Sequence, residues 1–219
     1  MPVDVRLNAI VDPERAGGRP LVDLARAAVA GGATLVQLRD KHGHTRRLID
    51  TARALIDELS PLGVPLIVND RVDVALAAGA SGVHLGPDDM EIADARALLG
   101  PAAIIGHSIK SIAQAEAVPI ELIDYAGVGG VYATLSKDNP APPMGPAGLG
   151  AIRAVLRRRA PTMPVVGIAG IDTTNAAAAI AAGADGVAVI SALSLAADPE
   201  MAARALRAIV DGALAQRQA

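Results

Sequence analysis

The residues of this chain best suited to chemistry are acids at the ends of apolar runs. Asn69 and Asp70 close the run that begins at Pro65, and Asp88 and Asp89 follow the run Gly82 to Leu85. Between them, Asp70 to Ala78 carries apolar side chains at Val72, Val74, Ala75 and Leu76 and stops at Gly79, which predicts a short helix. A strand, a helix and a second strand of this length form a right-handed unit with parallel strands. Parallel neighbours end on the same side, so the carboxylates can converge. Carboxylates brought together repel unless a cation sits between them. A hard cation such as Mg²⁺, held by one or two carboxylates and otherwise by water and substrate phosphate, suits this set. The alternative is that Asp70 caps one helix and Asp88 or Asp89 the next.

The positive charges point to the ligand. Of 20 lysines and arginines only Lys41, Lys110 and Lys137 are lysines, and each lies just after an apolar run. Lysine is a compact point charge suited to phosphate oxygens. Other polar residues gather at the same places: Gln37, Arg39 and Lys41 after the second run, Ser108 after the fifth, and Thr134, Ser136 and Lys137 after the sixth. Cations, hydroxyls and paired carboxylates together suggest a metal-bridged diphosphate. Gly170 after the seventh run and Ser191 after the eighth suit a second phosphate held by backbone N–H groups. His84 lies inside an apolar run and reads as a hydrogen-bonded core histidine. His42 and His44 have no third partner near them and are weak evidence for a metal.

The elements that must carry these residues alternate. Strands are expected at Val5 to Val11, Thr34 to Leu38, Pro65 to Asn69, Gly82 to Leu85, Ala102 to Gly106, Ile123 to Gly127, Pro164 to Ile168 and Gly186 to Ile190. Helices are expected at Pro20 to Ala30, Thr45 to Leu59, Asp70 to Ala78, Ile92 to Leu99, Ser111 to Val118, Leu149 to Arg159, Thr173 to Ala182 and Met201 to Leu214, with a long loop from Gly129 to Gly148. The segments 29–38, 76–85 and 180–189 repeat one design, a helix end and a Gly stop leading into a buried strand. Eight β/α units in one chain of 219 residues predict an α/β fold, a (β/α)₈ TIM barrel forming a single domain over residues 1–219. In such barrels the site lies at the C-terminal ends of the strands, where the polar residues gather. An open doubly wound sheet would instead show a Gly-rich turn after its first strand; here Asp12-Pro13-Glu14 follows.

Composition removes several classes of function. Tyr125 and Tyr132 are the whole aromatic complement, so there is no stacking platform for nucleic acid. The basic run Arg157 to Arg159 falls at an expected helix end, where it complements the helix dipole. Without cysteine there is no thiolate chemistry. No apolar run approaches the ~18 residues of a membrane span, and no signal core is visible at the N-terminus. A soluble cytoplasmic protein with no membrane partner is expected.

Taken together, the motifs resemble the thiamine phosphate synthase family. The matching stretches are Gln37 to Lys41, Val68 to Asp70, His84 to Asp89, Gly106 to Ser108, Thr134 to Lys137, Gly167 to Ile171 and Val189 to Ser191, in the family's order and across nearly the whole chain. The resemblance implies a (β/α)₈ barrel that joins an aminopyrimidine methyl diphosphate to a thiazole phosphate with Mg²⁺, releasing pyrophosphate. It implies that Gln37, Leu38, Arg39, Asp40, Lys41, Asn69, Ser108 and Lys137 bind the pyrimidine diphosphate. Arg39, Ser108 and Lys137 would act on the reacting groups, and Asp70 and Asp89 would hold the metal. Thr134, Leu135, Ser136, Gly170, Ile190 and Ser191 would hold the thiazole phosphate. A homodimer is the assembly to look for. The chain departs from the family pattern at several positions. Asn8 and Val11 stand where an aromatic residue and a threonine are usual, and Pro87 where glutamine is. Gly130 and Ala133 replace prolines, Ser136 replaces threonine, and Val118 to Glu121 replaces a Gly-Ala helix end.

Other functions fit the residues less well. A thiazole tautomerase-like isomerase shares the fold but needs neither diphosphate site nor Mg²⁺, and uses a histidine on the loop where Gly129 to Thr134 has none. A non-catalytic regulatory relative would bind thiazole phosphate alone, and would have no use for Arg39, Lys41, Asp70, Asp89 and Lys137.

Overall fold

The computed structural model describes residues 3–134 and 142–218. Its strands are β1 (Leu7–Val11), β2 (Leu35–Leu38), β3 (Leu66–Asn69), β4 (Gly82–Leu85), β5 (Ile104–Ile109), β6 (Tyr125–Val128), β7 (Val165–Ile168) and β8 (Gly186–Val189). They pair in chain order, all parallel, and β8 returns to β1, so the barrel is closed. The connecting helices are α1 (Leu21–Ala30), α2 (Thr45–Leu59), α3 (Val72–Ala78), α4 (Ile92–Leu99), α5 (Ile112–Ala117), α6 (Gly145–Arg159), α7 (Ala176–Ala181), the single turn α8 (Ser191–Ser194) and α9 (Pro199–Gln218). Among the described residues no helix is long and apolar enough to cross a membrane.

Alternation along each strand sorts side chains between two cores. Leu7, Ala9, Val11, Val36 and Leu38 face outward into the layer shared with the helices. Ile10, Leu35, Ile67, Tyr125, Val166 and Ala188 fill the barrel itself. Helix α2 shows how the outer layer closes: Leu48, Ala52, Leu55 and Leu59 recur at helical spacing and are all buried. Each buried leucine there contributes about 1.5–3 kcal/mol. Gly79 ends α3 in the left-handed region (φ 76°) and returns its N–H to the Ala75 carbonyl at 3.0 Å, which turns the chain into β4.

With no Phe or Trp in the chain, Tyr125 is the largest side chain of the barrel interior. Tyr125 is fully buried, and Gly106 on the neighbouring strand leaves the space it occupies; a Cβ there would overlap the ring. Gly127 does the same for His84, whose Cε1 would lie 2.9 Å from an added Cβ.

Several boundaries differ from the sequence expectation, and four of them have a visible cause. Strand β5 runs on through His107 and Ser108 to Ile109, because Ser108 faces a polar partner inside the barrel. Helix α6 starts at Gly145, with Pro146 in its first turn where a missing N–H does no harm. Helix α7 starts only at Ala176, because Asp172 takes the N–H and hydroxyl of Thr174 (2.8 and 2.6 Å) and holds a turn. Helix α9 starts at Pro199, where Asp198 accepts the Met201 N–H at 3.0 Å.

Candidate active site

The barrel brings the polar strand ends onto one rim. At β1 the chain leaves the strand through Asp12, which is 1% exposed. One carboxylate oxygen accepts the Glu14 N–H at 2.9 Å, and the other pairs with the Arg39 guanidinium. Arg39 is itself fixed by its N–H, which donates to the Val11 carbonyl at 2.9 Å. Sequence reasoning missed Asp12 as a site residue. Its position directly after β1, level with Arg39 after β2, was the available signal.

Asp70 and Asp89 meet as the strand order requires. Asp70 sits in the left-handed region (φ 63°), unusual for a residue other than glycine, and its N–H donates to the His84 carbonyl at 2.8 Å. That bond ties the end of β3 to β4 and aims the carboxylate at the rim. Burial and the neighbouring Asp89 carboxyl raise the Asp70 carboxyl above the usual range, while Lys41, whose ammonium pairs with it, pulls the other way. Asp89 accepts the Gly86 N–H at 2.6 Å and so closes the turn after β4. The capping alternative fails for both. The caps of α3 and α4 are Arg71 and Glu91, neither with a side-chain cap bond. Asp88 is exposed.

This donor set fits a hard cation. Two carboxylates converge, and one of them is raised by the other. Among the described residues no group of three or more His, Asp or Glu could hold a metal. A site of two carboxylates leaves most ligand positions to water and phosphate, which is the way of Mg²⁺ and not of Zn²⁺.

Inside the rim, Gln37 is 2% exposed and faces the barrel interior, whereas the Leu38 side chain belongs to the outer core. Asp40 is spent on its own loop, accepting the N–H groups of His42 and Gly43 at 3.1 and 2.7 Å. Asn69, the last residue of β3, is half-buried. Ser108 is 6% exposed, and its Oγ lies 2.9 Å from His84 Nε2. His84 is the core histidine expected, with its Nδ1 2.8 Å from the Tyr125 hydroxyl. His42 and His44 do not form a metal site: His42 is exposed beside Glu14, and His44 stands at the cap of α2. His107 points outward from β5, and burial lowers its imidazole against the pull of Asp89 and Glu91.

At the other side of the rim, the chain after β6 is stitched to the end of β7. Val131 and Tyr132 donate to the Ile168 and Ala169 carbonyls at 3.2 and 3.0 Å. Gly170 has φ 63°, and a Cβ on it would overlap the Ala133 carbonyl and come within 2.8 Å of the Tyr132 Cβ. The glycine is therefore required by this loop contact, a reason the sequence did not disclose. Ala169 is also left-handed (φ 89°). Thr134 follows the stitched loop and is half-buried. Ile190 and Ser191 lead from β8 into α8, where the Leu193 and Ser194 N–H groups both donate to the Ile190 carbonyl at 3.1 and 3.0 Å. Leu135, Ser136 and Lys137 lie outside the described residues.

Known proteins share this chain's sequence and shape. The family model described as thiamine monophosphate synthase matches residues 7–193. A thiamine-phosphate synthase of Agrobacterium fabrum is 53% identical over 216 residues, covering 99% of this chain and 98% of that protein. One of Xanthobacter autotrophicus is 52% identical over 209 residues, covering 95% of this chain and 97% of its own. A thiamine phosphate pyrophosphorylase of Pyrococcus furiosus superposes with a TM-score of 0.85 at 37% identity, covering 97% of this chain and 98% of that one. With the family model and full-length relatives in agreement, and with the barrel and its polar rim as that resemblance implies, this chain belongs to the thiamine-phosphate synthase family of transferases.

Proposed function

We propose that the chain condenses 4-amino-2-methyl-5-(diphosphooxymethyl)pyrimidine with 4-methyl-5-(2-phosphooxyethyl)thiazole, giving thiamine phosphate and pyrophosphate. The observation that carries this reading is the pairing of Asp70 with Asp89 on one rim beside Lys41 and Arg39. A diphosphate leaving group needs that mixture of cations and metal-binding carboxylates; an isomerase or a regulatory binder does not. The substrates are small molecules, and the working compartment we propose is the cytoplasm. One barrel domain carries the whole site, and a homodimer is the proposed assembly.

Asp70 and Asp89 would hold Mg²⁺, which, when bound, supplies positive charge against the diphosphate. Arg39, kept in place by Asp12, donates toward the same group, as does Lys41 once it leaves Asp70 for the more highly charged ligand. Lys137 is the third cation assigned to the leaving group. Gln37 and Asn69, held on β2 and β3, orient the pyrimidine, and Ser108 presents its hydroxyl from β5. The backbone of Leu38 and Asp40 completes that wall, since their side chains are engaged elsewhere. The thiazole phosphate sits against Thr134 to Ser136, Gly170 and the amides after β8 at Ile190 and Ser191. The C–O bond to pyrophosphate breaks, and its electron pair leaves with the phosphate oxygen. The methylene carbon, left as a cation, accepts the lone pair of the thiazole nitrogen and the C–N bond forms. No side-chain nucleophile is needed; the residues stabilise departing charge and align two reactants.

The test is to incubate the protein with both substrates, with and without Mg²⁺, and measure pyrophosphate. Release that needs both substrates and the metal supports the reading. Turnover of a thiazole substrate alone, with no need for metal, would identify an isomerase, and binding without turnover a regulatory relative.

A further inference from the structure

Behind Ser108 lies a chain of buried polar groups that runs to the centre of the barrel. The Tyr125 hydroxyl is 2.8 Å from His84 Nδ1, and His84 Nε2 is 2.9 Å from Ser108 Oγ. Tyr125 is fully buried, and His84 and Ser108 are each 6% exposed. Asn8 of β1, 1% exposed, faces the same hydroxyl. Gly106 and Gly127 hold the two rings in place, since a Cβ on either would collide with them. Donors and acceptors linked in series in this way have a direction.

Tyr125 carries one proton, and burial raises its hydroxyl far above the ordinary range, so it stays protonated. The proton needs an acceptor, because an unmet buried donor is costly. Among the described residues the hydroxyl has one hydrogen-bond partner, His84 Nδ1 at 2.8 Å. The Tyr125 hydroxyl therefore donates to His84 Nδ1. Nδ1 then carries no hydrogen, and the imidazole proton is on Nε2. Nε2–H donates to Ser108 Oγ. Ser108 receives its hydrogen bond from behind, and its own proton is left to point out of the barrel interior toward the rim.

We infer that Tyr125 and His84 are positioning residues that set the polarity of Ser108: Tyr125 holds His84 as the neutral Nε2–H tautomer, and His84 makes Ser108 a hydrogen-bond donor to the pyrimidine substrate. The catalytic half of this inference rests on the assignment of Ser108 to that substrate. The tautomer half does not. Ser108 then contacts an acceptor atom of the substrate, such as a ring nitrogen or a phosphate ester oxygen, and not a donor such as the exocyclic amine.

The experiment uses the full chain. Nitrogen-detected NMR of labelled histidines reads the tautomer, and the His84 signals are identified by their loss in His84→Gln. The expected result is an unprotonated, pyridine-like Nδ1 and a protonated, pyrrole-like Nε2. The reverse assignment in the wild-type chain overturns the inference, whatever any variant does. In Tyr125→Phe, which keeps the ring volume, the tautomer preference should weaken. The rate constant kcat should fall about 10-fold, the size of one buried hydrogen bond, with KM for the pyrimidine diphosphate nearly unchanged. Unaltered His84 nitrogen shifts in that variant would also overturn it. Ser108→Ala should lower kcat by ~10²-fold, as removal of an aligned donor does. Full activity in Ser108→Ala beside the expected nitrogen shifts would refute the role at the substrate and leave the tautomer assignment standing, so failure of the site reading and failure of the relay are distinguishable.

Discussion

Replacing Asp12 by asparagine should both weaken the fold and slow the reaction. The substitution keeps the shape and still lets Oδ1 accept the Glu14 N–H, but it removes the charge opposite Arg39 and turns an amide NH2, a donor, toward the guanidinium. Taking away one partner of a buried ion pair costs about 3–5 kcal/mol, because the other charge is left unmatched. The Asp12 side chain is 1% exposed but that of Arg39 is 12% exposed, so the guanidinium keeps some access to water and the lower end, about 3 kcal/mol, applies. For a chain of this length that is a drop in Tm of roughly 6–12 °C. Urea unfolding monitored by circular dichroism measures it. The double variant Asp12→Asn with Arg39→Met should be less destabilised than the sum of the single ones, since the charges are then removed together. With Arg39 released, single-turnover rate should fall by roughly 10²-fold, the effect of a misplaced binding group. A stability loss below about 0.5 kcal/mol, the scatter of an ordinary surface substitution, would refute the claim that Asp12 is what holds Arg39.

Mg²⁺ with pyrophosphate should raise the Tm of the wild-type chain; Asp70→Asn should abolish that rise, and an undiminished rise would remove Asp70 from the metal site. The Asp70 carboxyl is raised in the fold, chiefly by burial and next by Asp89, so the folded chain binds this proton more tightly than the unfolded one. Its stabilising contribution is present below the ordinary carboxylate value and is lost as pH rises through the folded value. Metal-free wild-type protein should therefore lose stability over that acidic window relative to Asp70→Asn, and parallel pH profiles of unfolding free energy would contradict this. Gly170→Val should lower Tm by forcing a side chain into a left-handed position against the Ala133 carbonyl. It should also raise KM for thiazole phosphate more than for the pyrimidine diphosphate, and equal changes in both would separate Gly170 from the second phosphate site.

Much of the architecture was legible because it rests on local rules. Gly stops before buried strands at residues 31, 79 and 183 and the apolar runs of four or five residues defined the β/α units. Closure of the barrel follows from their number. The rim was legible because strand ends must carry polar residues if they carry a site; Asp70 and Asp89 met as their parallel strands require. What sequence could not show were facts of tertiary contact. Ser108 looked like the residue after a strand, yet it is within one, because its partner His84 comes from the neighbouring strand. Asp12 looked like part of a turn: its place after β1 was visible, but its pairing with Arg39 comes from the register of β1 against β2. Gly170 suggested an open cradle, and the space its missing side chain leaves is taken by the loop after β6. Gly106 signals nothing in sequence, since the ring it accommodates lies on the next strand.

The central claim is that this rim breaks one C–O bond of a pyrimidine diphosphate and makes one C–N bond to a thiazole phosphate. A single-turnover reaction with enzyme in excess over the pyrimidine diphosphate, thiazole phosphate and Mg²⁺ present, and both products quantified in the same sample, measures it directly. Pyrophosphate and thiamine phosphate are expected in equal amounts, each matching the diphosphate consumed. Pyrophosphate without thiamine phosphate, or no consumption of the diphosphate by correctly folded protein, would contradict it.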